Sequence, residues 1–174
     1  MDINYKSILK NSVFQNIFII IIFIIFGFIL AIFNKNKVSQ NNHIVLDKIE
    51  FIENKDKILN NRNSTIIYIW ATWCGVCKTN QPLIKLNFKL SSYFNINFIT
   101  LEEGENLELL KSYLSENKLP YPVGLLTDEI SNIYEIKEYP SYIYLDRSEN
   151  VVLKETGLLN PLSFLLRIFY LKII

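Results

Sequence analysis

Apolar residues along this chain are grouped so that two regions separate. From Ile17 to Phe33 the sequence IFIIIIFIIFGFILAIF runs for seventeen residues without a charge or a hydrogen-bonding side chain. As a helix rising 1.5 Å per residue it covers about 25 Å, and Val13 and Phe14 extend it toward the roughly 20 residues that a bilayer helix uses. A buried core helix does not fit, because the run is apolar on every face and polar sequence flanks it on both sides. A cleaved signal peptide has a shorter apolar region ending in a small-x-small site, and LAIFNKNK offers only Ala31. Residues 13–33 are therefore expected to be an uncleaved transmembrane anchor. Lys6 and Lys10 before it nearly balance Lys35 and Lys37 after it, so charge alone does not orient it. A short tail, 1–12, ahead of a large C-terminal domain favours a cytoplasmic tail. That makes a single-pass inner-membrane protein whose domain faces the periplasm or another extracytoplasmic space.

Beyond the anchor the pattern changes to that of a folded domain. Residues 34–64 read as a polar tether followed by an N-terminal β extension, with apolar positions at Ile44, Leu46, Ile49, Phe51 and Ile52 and a loop over 54–64. TIIYIW (65–70) and INFITL (96–101) are continuous apolar runs, the pattern of strands buried on both faces. Between them, length favours a helix from about Cys74 to Tyr93, interrupted or bent at Pro82. Leu107, Leu110 and Leu114 step at three and four residues and predict an amphipathic helix over about 105–117. A short strand within 121–128 and a short helix around Ile130, Ile133 and Tyr134 come next. SYIYLD (141–146) and VVLKET (151–156), separated by RSEN, read as an antiparallel hairpin. Pro161 opens a final apolar segment that Arg167 and Lys172 interrupt, predicting a terminal helix laid on the sheet. The order β-α-β-α-β-α-β-β-α defines an α/β domain over 65–174, a mixed sheet with helices on both faces.

Composition adds little except exclusions. The formal net charge is +1 and acidic and basic residues are interspersed, so the basic stripe of a nucleic-acid binder is missing and no nucleic-acid partner is expected. Chemistry concentrates in WATWCGVCK (70–78), which holds both cysteines of the chain. At the end of a buried strand where a helix begins, Cys74 faces the unpaired N–H groups of the first helical turn, which stabilise a thiolate. Cys77, one turn on, can attack a mixed disulfide formed at Cys74. Gly75 lets the turn close and Val76 adds no charge. A zinc site would need two further ligands, and the only histidine is His43, read as a tether residue. Two soft thiolates suffice for copper(I), so a non-enzymatic copper-binding or copper-tolerance protein is the alternative reading. A purely structural disulfide would close too small a loop to stabilise much. Pro140 precedes a buried strand and reads either as a turn proline or as a cis residue against the cysteines.

IIYIWATWCGVC, a proline five residues on, and the later YPSYIYLDRSENVVLKETG together resemble a thioredoxin-fold thiol–disulfide oxidoreductase over about 65–174. With the anchor, YIWATWCGVCK and the ending TG…LLRIFYL, the chain is most similar to ScsD-like (suppressor of copper sensitivity) protein disulfide oxidoreductases, with TlpA-like thioredoxins as near relatives. The resemblance implies Cys74 as attacking thiol, Cys77 as resolving thiol and Pro140 as cis-proline. Trp73, Gly75, Val76 and Tyr139 are the expected substrate-contacting residues. The cysteine pair is itself the redox group, so neither cofactor nor metal is expected. The implied partners are client proteins with thiols or disulfides, and a membrane redox partner that resets the pair. Two positions depart from the family. Tyr68 stands where thioredoxin has a buried aspartate, and a buried tyrosine is a poor base at neutral pH. Asn80 stands where cytochrome-maturation relatives often have glutamate. Lys78 adds positive charge after Cys77.

Overall fold

The computed structural model describes residues 15–22, 48–58, 63–104 and 106–174. The chain divides into two compact units, Met1–Asn36 and Lys37–Ile174. In the first, residues 15–22 are helical with their apolar side chains exposed. The rest of the expected anchor, 13–14 and 23–33, lies outside the described residues, as does His43. Among the described residues no helix is long and apolar enough to cross a membrane.

The second unit is built on a six-stranded sheet in the order β1-β4-β3-β2-β5-β6. The strands are β1 (Phe51–Glu53), β2 (Thr65–Trp70), β3 (Asn97–Glu102), β4 (Val123–Leu125), β5 (Ser141–Leu145) and β6 (Val151–Thr156). β2, β3 and β4 run parallel, while β1, β5 and β6 pair antiparallel with their neighbours. All residues of β2 and β3 are buried, because helices cover both faces of these central strands. Alternation sorts the side chains. Ile66, Tyr68 and Trp70 join a core with α2 (Gln81–Tyr93), α3 (Leu107–Asn117) and α5 (Pro161–Ile173), whereas Ile67 and Ile69 join one with α4 (Asp128–Ile133).

Local chemistry marks where the helices start. Asn106, Thr127 and Asn160 each accept a backbone N–H from the first turn of α3, α4 and α5, at 2.9, 3.2 and 2.9 Å. The helix expected over 74–93 is two pieces, α1 (Gly75–Thr79) and α2, divided at Asn80. Pro82 has no N–H for the Lys78 carbonyl, so the ladder breaks two residues before the proline and restarts with Leu83 and Ile84 both donating to the Asn80 carbonyl. The other predicted elements form within a few residues of their expected bounds. β1 extends the sheet upstream of residue 65, and it can dock because Gly124 of β4 lacks a side chain: a Cβ there would stand 2.6 Å from Ile49 Cγ2.

α5 lies on the sheet through Phe164, Ile168 and Leu171 and is pinned by an ion pair. Arg167 Nε and Nη2 each stand 2.6 Å from a Glu155 oxygen, and the Tyr144 hydroxyl donates to the same carboxylate at 2.7 Å. The side chains are 11% and 4% exposed, so removing one partner strands a charge away from water. Arg167→Ala is expected to lower unfolding stability by about 3–5 kcal/mol, read as a shifted urea midpoint. A change below about 1 kcal/mol would show that the pair is solvated.

Candidate active site

β2 ends at Trp70 and delivers the chain into the loop Ala71–Cys74, which closes as the Cys74 N–H donates to the Ala71 carbonyl at 3.1 Å. Cys74 then caps α1 with its own sulfur, which accepts the Cys77 N–H at 3.2 Å. The two sulfurs are joined as a disulfide, with Cα atoms 5.2 Å apart. Cys74 keeps 7% exposure and Cys77 none, so an incoming sulfur can reach only Cys74. Trp73 and Val76, on either side, are 58% and 51% exposed and give the disulfide an apolar rim, and Gly75 is exposed as well.

The second loop arrives through the register of β5. Ser141 pairs with Ile69, so Pro140 falls opposite Trp70, beside the loop that leads into Cys74. Pro140 is buried, its peptide bond with Tyr139 is cis, and its carbonyl accepts the Gly157 N–H at 2.8 Å. The Tyr139 ring meets the Trp73 indole edge-on, centroids 5.6 Å apart. Trp73, Cys74, Val76 and Tyr139 thus come together on one end of the sheet. Lys78 instead reaches over the Tyr113 ring, 5.8 Å from its centroid.

Two carboxylates at the end of β3 organise this region, and the sequence reading missed both. Glu102, buried, accepts the Thr72 N–H at 2.8 Å and the Gly104 N–H at 2.9 Å, holding the loop two residues before Cys74. Glu103 accepts the Trp73 indole N–H on one oxygen and the Tyr139 hydroxyl on the other, at 2.5 and 3.2 Å. The available signal was positional: adjacent acids at the carboxyl end of a parallel strand, next to the strand that carries the cysteines.

The apolar core that includes Cys77 also holds buried tyrosines. Burial pushes the hydroxyl of Tyr68 far above its ordinary value, with the Asn80 carboxamide pulling weakly the other way. Tyr142 is shifted up by the same burial, and its ring lies 5.0 Å from that of Tyr68. Tyr68 therefore stays neutral at any physiological pH and does not act as a carboxylate would. Among the described residues no cluster of three or more His, Cys, Asp or Glu side chains could hold a metal ion.

The thioredoxin family model matches residues 35–116. A thioredoxin-like protein of Haemophilus influenzae is 25% identical over 167 residues, covering 95% of each chain. Sporulation thiol-disulfide oxidoreductase A of Bacillus subtilis is 23% identical over 111 residues, 61% of this chain and 67% of its own length. The crystal structure of a thiol-disulfide isomerase from Corynebacterium glutamicum has the same fold, with a TM-score of 0.62 at 17% identity over 75% of this chain and 96% of that one. Fold, cysteine pair and relatives agree: the chain has the thioredoxin fold and is similar to thiol–disulfide oxidoreductases of that fold.

Proposed function

We propose that this protein is a membrane-anchored, extracytoplasmic oxidoreductase that exchanges the Cys74–Cys77 disulfide with client proteins. The observation that carries the reading is the asymmetry of the pair: Cys74 at the surface edge, Cys77 sealed behind it. A client thiolate attacks Cys74 Sγ, the Cys74–Cys77 bond breaks, and Cys77 leaves as the thiolate. A second client thiolate then attacks the client sulfur of the mixed disulfide. The client leaves oxidised and Cys74 departs as a thiolate that accepts the Cys77 N–H. Run backwards, the same steps reduce a client disulfide, with Cys77 expelling the product from Cys74. Electrons and sulfurs balance in both directions, and no metal or nucleotide takes part. A thiol or disulfide partner at the membrane returns the pair to its starting state.

Support for the anchor comes from the apolar run at 17–33 and the exposed apolar helix over 15–22. The full-length protein is expected to stay with membranes after carbonate extraction, with its C-terminal domain open to protease from the extracytoplasmic side. In detergent micelles it is expected to accelerate either the oxidation of a reduced client or the reduction of insulin disulfides. Extraction by carbonate would refute the anchor. Acceleration of neither reaction would refute the client exchange.

A further inference from the structure

Glu103 has a position that disulfide exchange does not by itself explain. Its carboxylate stands between two aromatic side chains from two different loops, Trp73 of the cysteine loop and Tyr139 of the proline loop. It accepts a hydrogen bond from each. Its own N–H donates to the Trp70 carbonyl at 3.1 Å, so the carboxylate is carried on backbone continuous with the central strands. The rings it holds meet edge to face, 5.6 Å between centroids.

A tryptophan that is 58% exposed would ordinarily sample several rotamers. Here a charge-assisted bond fixes the indole, and a second fixes the phenol against it. The result is a preformed apolar wall beside the one reachable sulfur, continued by exposed Val76. A wall ordered before the client arrives spares the cost of ordering it at binding. Both carboxylate oxygens face donors of the wall, which leaves the charge poorly placed to recruit a basic client.

We propose that Glu103 is a positioning residue that locks Trp73 and Tyr139 into this wall, and that the wall selects extended polypeptide segments with an apolar or aromatic side chain next to the reacting cysteine. The proposal rests on the oxidoreductase reading above and names the client chemistry of the same site.

The test uses the full-length protein in detergent micelles, its cysteine pair kept reduced by a small dithiol that is oxidised in turn, and three disulfide substrates. Two are quenched-fluorophore peptides differing only in Phe or Ser beside the cysteine, and the third is bis(2-hydroxyethyl) disulfide. The parent protein is expected to prefer the Phe peptide by about tenfold in kcat/KM, the range that one apolar contact supplies. Glu103→Leu is expected to reduce that preference to about twofold, through KM for the Phe peptide and with kcat changed little. Glu103→Gln, which keeps one acceptor oxygen, is expected to restore part of it. Tyr139→Phe removes one donor and keeps the ring, and is expected to lower the preference about threefold. If Glu103→Leu does not fold, the Gln and Phe variants decide the matter alone.

An equal loss of kcat/KM on all three substrates would overturn the proposal, because it would place Glu103 in the chemistry or the fold. So would a parent protein that turns over the small disulfide but treats both peptides alike. A parent that turns over none of the three, neither as disulfides nor as the corresponding thiols with the oxidised protein, would overturn the oxidoreductase reading, and the proposal with it.

Discussion

Cys74→Ser is expected to reduce disulfide exchange by about a thousandfold or more, to the uncatalysed rate, because the remaining thiol, Cys77, is buried beyond the reach of a client sulfur. Cys77→Ser is expected to behave differently. Cys74 is then a free thiol that still attacks a client disulfide. The sulfur that would expel the client is gone, and the mixed disulfide accumulates. Non-reducing electrophoresis distinguishes the two: client adducts with Cys77→Ser that disappear on adding thiol, and none with Cys74→Ser. The geometry requires this difference, since Cys77 is fully buried and no client sulfur reaches it directly. Equal adducts from both variants would mean that the loop opens far enough to expose the second cysteine.

The second large effect is alkaline unfolding. Tyr68, Tyr121, Tyr142 and Tyr144 are all buried in one core, and burial raises the ionisation of each far above its ordinary value. For Tyr144 the neighbouring Glu155 carboxylate adds to the shift, opposed by Arg167. These hydroxyls stay neutral in the folded protein, whereas in the unfolded chain they ionise near pH 10. The folded state therefore binds more protons above that pH, and its stability falls as pH rises. Their contribution is intact below the unfolded value. Above about pH 10 each hydroxyl costs about 1.4 kcal/mol per pH unit, so the four together cost about 5 kcal/mol per unit. Urea midpoints measured from pH 8 to 11 should hold nearly level to pH 9.5 and then drop steeply. Tyr142→Phe should make the drop shallower by about one quarter. A level profile through pH 11 would mean that water reaches these rings in the folded protein.

The parts that were legible in the sequence are those whose cause is local. TIIYIW and INFIT carry no polar alternation because both faces of β2 and β3 are covered, and that shows in the residue string itself. The spacing of Cys74 and Cys77 likewise dictates one helical turn between them. The helix break was visible as Pro82, but its site at Asn80 follows from the Lys78 carbonyl, to which residue 82 has no N–H to give. What was not legible depends on residues far apart. β1 finds β4 because a glycine more than seventy residues on leaves room for Ile49. Glu103 is one more acid in LEEGEN until β5 brings Tyr139 beside Trp73. Tyr68 was expected to be a poor base, and its burial among other tyrosines makes it a poorer one.

The polarity of β1 has a geometric consequence. Because β1 runs antiparallel to β4, and the Leu125 N–H bonds to the Glu50 carbonyl, the chain enters the sheet level with Glu102 and Trp70. The disulfide and the start of β1 thus share one end of the sheet, the disulfide beyond a central strand and β1 at the edge. A client held at the disulfide therefore meets the same end of the sheet at which the chain enters through Glu50.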